Sequence, residues 1–243
     1  MSMAGRGTMS SEASRHVGVG YSRRTLLATL LALIGLMVCG HLAFLVAGQR
    51  SWQLERLFDL GREGTVPAWF SSLLLAASSL VAAGCAGSTH DSRAARGWRA
   101  LALGLLFMSC DEITQLHEHA SQILTRRIFH LTPAPTSLWS SWALVLGPLI
   151  GVAVGWLGWQ LREELHRFPA TRRRLLLGAG LFFLGAAGLD LFDPLLRYAE
   201  TLRWLHQVEI IAEETLEMLG AVLFLSGLVV HQRALQNVEW DAS

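Results

Sequence analysis

The sequence contains no lysine: all 20 basic residues other than histidine are arginine. That bias fits a GC-rich genome and carries no mechanism of its own. Charge of either sign is sparse, 16% of residues against 52% hydrophobic, and the net charge is +1. A soluble helical protein would carry an apolar stripe opposite a charged face, whereas most apolar runs here are apolar all round. There is no basic patch with interleaved aromatics and no zinc-finger spacing, so nucleic acid is excluded as a partner. Cysteine is scarce too. Cys39, Cys85 and Cys110 all fall inside apolar runs, so no disulfide framework is expected and the three read as small buried hydrophobes. A Gly-x-Ser-x-Gly elbow, a Walker loop and a dinucleotide fingerprint are absent, which leaves serine hydrolysis and nucleotide chemistry through those motifs unsupported.

What is present is a succession of apolar runs long enough to cross a hydrocarbon core. They cover residues 25–47, 67–87, 99–124, 138–159, 175–195 and 205–230. The expected fold is all-α: a polytopic membrane bundle of six transmembrane helices over 23–233. A disordered cytoplasmic tail, 1–22, precedes it and a short cytoplasmic tail, 234–243, follows. The first run is too long for a signal peptide. Pro67 suits a first helical turn, where its missing N–H is not needed.

Arginine sets the orientation. With both termini inside, cytoplasmic segments hold 13 arginines, including Arg93, Arg96, Arg99 and Arg172 to Arg174, and outer loops hold 7, among them Arg62, Arg126 and Arg197. That asymmetry follows the positive-inside rule and implies a bacterial inner membrane protein, N-in and C-in. Trp69, Trp98, Trp139, Trp142, Trp159 and Trp204 lie near span ends as an aromatic belt would. Gly147, Gly151 and Gly155 form a small-residue ridge, and Gly185 and Gly188 are small positions on the next span. Such ridges pack helices inside one chain or, alternatively, join copies into a homo-oligomer.

The informative residues are the ionisable ones inside the runs. They are Asp111, Glu112, His117, Glu118 and His119 in the third, Asp190 and Asp193 in the fifth, and His206, Glu209, Glu213, Glu214 and Glu217 in the sixth. Each charge at mid-bilayer costs about 2.5–3.5 kcal/mol on insertion scales, so these groups must face one another, water, cations or protons. On one continuous helix, Asp111, Gln115, Glu118 and Gln122 share a stripe flanked by Glu112 and His119, while His117 points away. His206, Glu209, Glu213 and Glu217 share a stripe on the sixth, with Glu214 off to one side. By helical rise Asp111 lies about 16 Å from the inner end of its span, and Glu118, Asp190, Asp193, Glu213, Glu217 and His41 about 21–27 Å. That common depth predicts a polar cavity opening outward. Local explanations compete for some members. Asp193 and Arg197 are an i,i+4 pair, His206 suits an interface, His41 suits a helix-to-helix hydrogen bond, and Glu63 suits a cap before Pro67.

Carboxylates mixed with imidazoles can hold metal ions. The expected ligands are His41, His117, Glu118, His119, Asp190, Glu213 and Glu217, with Asp111, Glu112 and Glu118 as acid–base catalysts. Oxygen and nitrogen donors suit divalent iron, zinc or manganese. Asp111, Glu118, His119, Glu213 and Glu217 are expected in one coordination sphere or a bridged pair. The third run has no Glu-x-x-His motif of the soluble di-iron kind, and the sixth has the reverse order, His206-x-x-Glu209. Three functions fit: a metal-dependent enzyme acting on a membrane lipid or another amphipathic substrate, a proton- or cation-coupled transporter, and a structural subunit. Below Asp111 the third run reads Ala100-Leu101-Ala102-Leu103-Gly104-Leu105-Leu106-Phe107, with no polar step toward the cytoplasm, which favours a one-sided site.

Three stretches stand out: Leu57 to Ser72 (LFDLGREGTVPAWFSS), Asp111-Glu112 to His117-Glu118, and Glu213-Glu214-x-x-Glu217-Met218-Leu219-Gly220. In these the chain resembles a group of uncharacterised bacterial multi-pass membrane proteins, over most of residues 50–230. The resemblance implies no activity. The chain lacks the late His-x-x-x-His pair of alkaline-ceramidase-like membrane hydrolases.

Overall fold

A computed structural model describes residues 23–47, 57–130, 137 and 141–242. The 1–22 tail and the Thr132-to-Pro135 turn lie outside them. The described residues form helices and turns without a strand. We number the helices α1 (Arg23–Val46), α2 (Val66–Ser88), α3 (Ser92–Thr114), α4 (Leu116–Ile123), α5 (Trp142–Arg167), α6 (Pro169–Phe183), α7 (Asp193–Arg197) and α8 (Arg203–Ala242).

Among the described residues four helices, α1, α2, α5 and α8, are long and apolar enough to cross a membrane. The third and fifth expected spans fall short for identifiable reasons. The third is not one helix over 99–124. It starts at Ser92, capped by the Asp91 side chain, carries Arg93, Arg96, Arg99, Asp111 and Glu112, and breaks at Gln115. Gln115 takes a left-handed conformation (φ 51°, ψ 41°) while its N–H still bonds to the Asp111 carbonyl at 2.8 Å. The Asp111 carboxylate then accepts the backbone N–H of His117 at 2.8 Å, satisfying a donor in the first turn of α4. A five-residue π-turn, Leu124–Ile128, follows α4. The fifth run does not stay helical to 195: α6 passes into a π-helical segment, Leu184–Leu189, and α7 starts afresh at Asp193 with Pro194 in its first turn. The fourth run extends past 159 to Arg167, and α8 continues past 230 to Ala242.

α8 is the hub, packed against α1, α2 and α6. Trp98, Leu75, Leu105, Met218 and Leu228 are fully buried in the shared core. Small residues set the closest approach of α6 and α8. A Cβ on Gly220 would sit 2.8 Å from the Gly178 carbonyl oxygen, and one on Gly185 2.7 Å from the Glu213 carbonyl oxygen. α2 and α3 are joined by hydroxyls: Ser72 Oγ donates to the Ser109 carbonyl (2.8 Å), Ser109 Oγ to the Ser72 carbonyl (2.9 Å) and Ser79 Oγ to the Ala102 carbonyl (2.7 Å).

Two small-residue expectations need correction. Nothing lies within 4 Å of a Cβ built on Gly147, Gly151 or Gly155, so that ridge packs against no helix among the described residues. The outer face of α5 is uncovered, with Leu149 and Val152 about 70% exposed. Of the cysteines only Cys85 is buried, while Cys39 and Cys110 face outward.

Candidate functional site

The ionisable residues gather at one end of the bundle, where the loop before α2, the α3–α4 break, the start of α5, the end of α6 and the start of α8 meet. The break at Gln115 organises the first part. A continuous helix would turn His117 away from Asp111. The left-handed residue brings it back, and His117 Nδ1 lies 2.6 Å from Asp111 Oδ2. The edge of the same imidazole meets the Trp142 ring, centroids 4.6 Å apart. The expectation that His117 points off the stripe is therefore overturned by one backbone conformation. Nδ1 is tied to the carboxylate, which leaves Nε2 as the nitrogen for proton exchange.

Around this dyad, Gln115 Nε2 donates to Glu63 Oε1 at 3.3 Å. Ser141 Oγ donates to Asp190 Oδ2 at 2.8 Å and accepts the Ala143 N–H, so the residue that caps α5 also holds an acid of the fifth run. Glu118 lies within electrostatic reach of Glu63, His117, Asp190 and Arg197. Glu63, outside the helices, keeps a solvent-facing edge. Even so, loss of hydration pushes its carboxyl up to about 7, against the Gln115 hydrogen bond, with Glu118 adding repulsion.

Deeper in the bundle, Glu112 lies within electrostatic reach of Glu63, Glu214 and Glu217. Glu214, expected off to the side, belongs to this interior group. Glu217 is 9% exposed and Glu209 7%. His41 is fully buried. Its Nδ1 accepts the Leu60 N–H at 3.1 Å and lies 3.6 Å from Asp59, so this bond joins α1 to the loop before α2 rather than to another helix as expected. His119 is exposed and its Nδ1 lies 2.7 Å from the Gln115 carbonyl of its own chain turn.

The expected five-residue sphere does not form. Among the described residues the three-ligand group is instead Asp193, His206 and Glu209, whose ligand atoms lie within 4.8 Å of one another. His206 Nδ1 is 3.3 Å from Glu209 Oε2 and 3.7 Å from Asp193 Oδ1. Donors 2.0–2.2 Å from a shared cation stand about 3.4 Å apart in a tetrahedral sphere, so these separations suit one ion. Glu209 Oε1 is buried without a well-formed hydrogen bond, beside Glu213. Arg197 grips both Asp193 oxygens (2.8 and 3.1 Å) and fixes the carboxylate's orientation. The i,i+4 reading of Asp193 is thus correct, and it left unseen that α7 and α8 also bring Asp193 to His206. The visible signal was His206-x-x-Glu209, a one-turn pair. Its third partner depends on the turn at 190–192.

The fold and site define a class: an all-helical protein with several helices able to cross a membrane and an acid- and histidine-rich cluster at one end that can hold a metal ion. Residues 25–232 match the family model described as "Domain of unknown function (DUF8692)", and the chain belongs to that family. No curated protein and no solved structure matches.

Proposed function

We propose that this is a six-span inner-membrane protein, N-in and C-in with the acidic end outward, and that it is a metal-dependent enzyme acting on a membrane lipid or another amphipathic substrate. The observation that carries this reading is the pairing of two unlike units at one end. Asp193, His206 and Glu209 offer mixed oxygen and nitrogen donors to one cation, and the Asp111–His117 dyad stands nearby. Glu118 links them, within reach of both His117 and Arg197. In this scheme Asp111 orients His117, and His117 Nε2 takes or gives the proton. Zinc, iron and manganese all suit such donors. The open glycine ridge of α5 is the face we assign to self-association. A second reading, proton- or cation-coupled transport, draws support from buried ionisable groups at the opposite end of the bundle.

The test is turnover of a bacterial lipid extract in mixed micelles, followed by mass spectrometry. Products should form with added zinc or manganese, vanish with chelator, and fall by about 10²-fold or more in Asp111→Asn. Turnover indifferent to chelator and to both Asp111→Asn and His206→Ala would refute the enzyme reading.

A further inference from the structure

At the end of the bundle opposite the acids, Glu164 of α5 and His231 of α8 meet at 3.4 Å (Oε1 to Nε2). Their exposures are 7% and 0%. Glu164 Oε1 and both ring nitrogens of His231 are buried without a well-formed hydrogen bond. The imidazole is held between Trp98 and Phe168, with ring centroids 4.5 and 4.8 Å away. Arg93, on α3 in this corner, bonds to Gln160, Glu163 and the Trp159 carbonyl and lies over the Trp159 ring. A buried acid–imidazole pair of this kind costs stability unless it carries a function or water completes its bonding.

The face of α2 between the two ends is polar in an unusual way. Ser72 and Ser79, seven residues apart, are bonded to α3. Ser71, Ser78 and Cys85, also seven apart, lie on the neighbouring face, where Cys85 Sγ reaches the Leu228 carbonyl of α8 at 4.0 Å. Ser71, Ser78 and Cys85 are fully buried, yet neither hydroxyl has a well-formed protein hydrogen bond. Ser71 sits beside Glu112, and Cys85 is within electrostatic reach of Glu164. Ser72 and Ser79 are satisfied by α3, whereas Ser71 and Ser78 have no well-formed protein hydrogen bond. A buried hydroxyl without a protein partner calls for water.

We propose that Ser71, Ser78 and Cys85, with water between them, form a proton route through the bundle joining Glu112 at the acidic end to the Glu164–His231 pair at the other. Successive polar groups are about 10.5 Å apart along the helix, a gap of about two or three waters. Each relaying atom, the serine and water oxygens and the Cys85 sulfur, accepts one proton and releases another, so only O–H, S–H and N–H bonds change and no oxidant or co-reactant is needed. The polar steps missing from the third run are supplied by the second. The route does not depend on a cation at Asp193, His206 and Glu209.

The test is proton uptake into proteoliposomes loaded with a pH-sensitive dye, driven by a potassium diffusion potential set with valinomycin. The wild-type protein should acidify the lumen several-fold faster than protein-free vesicles. Ser78→Val, which fills the column, and Glu164→Gln, which keeps shape but loses the proton, should fall to the protein-free rate. Ser79→Ala, on the bonded column, should stay near wild type. Glu164→Gln serves even where Ser78→Val does not fold. Wild-type uptake at the protein-free rate, or undiminished uptake in Glu164→Gln, would overturn the route while leaving the enzyme reading to its own test.

Discussion

At the residue scale, Glu63 offers a clean titration, because it lies in the loop before α2 rather than inside a helix. Its carboxyl is raised from 4.5 to about 7, so across that window the folded chain binds more protons than the unfolded one. Stability tied to Glu63 is therefore intact below pH 4.5 and is lost as pH rises through about 7. Glu63→Gln should lack this loss. Its melting temperature relative to wild type should climb between those limits and level off above them. A difference that stays constant with pH would remove the burial argument for this carboxyl. Residue-scale features legible in the sequence were those set by a continuous helix, such as the Asp193–Arg197 pair. The Asp111–His117 contact was not legible, because it exists only where Gln115 leaves the helix. Nothing in the residue type of Gln115 announces a left-handed conformation, which glycine or asparagine would normally mark.

At the element scale, the decisive packing is between α6 and α8. Gly220 already has the Gly178 oxygen and Phe182 against the place a Cβ would occupy, at 2.7–2.9 Å. Gly220→Ala should force the helices apart and destabilise the protein by about 1–3 kcal/mol. Gly151→Ala meets nothing within 4 Å and should be neutral or gain up to about 1 kcal/mol of helix propensity. Thermal melting in detergent compares the two directly, and equal effects would contradict the assignment of which glycines pack. The sequence showed both sets of small residues but could not say which faced a neighbour. That depends on the rotation of α5 about its axis, and a helix apolar all round carries no periodicity to fix it. The serines of α2 were opaque for the same reason.

At the scale of the whole molecule, hydropathy located four helices long and apolar enough to cross a membrane, since a segment that crosses lipid must bond its own backbone internally. It failed at their ends, where Asp111, Ser141 and Pro194 redirect the chain through side-chain hydrogen bonds and a restart. The proposed topology predicts cytoplasmic reporter signals at Ser88, Arg167 and Ser243 and external ones at Arg62 and Pro133. A cytoplasmic signal at Pro133 would place the acidic end on the wrong side. The central claim is that this end holds a cation through Asp193, His206 and Glu209. Metal content by plasma mass spectrometry, on protein purified without chelator and equilibrated with zinc, iron or manganese, tests it most directly. About one tightly held cation per chain is predicted for wild type and for Glu118→Ala, with loss in His206→Ala and Glu209→Gln. Substoichiometric metal that is unchanged in those two variants would contradict the claim.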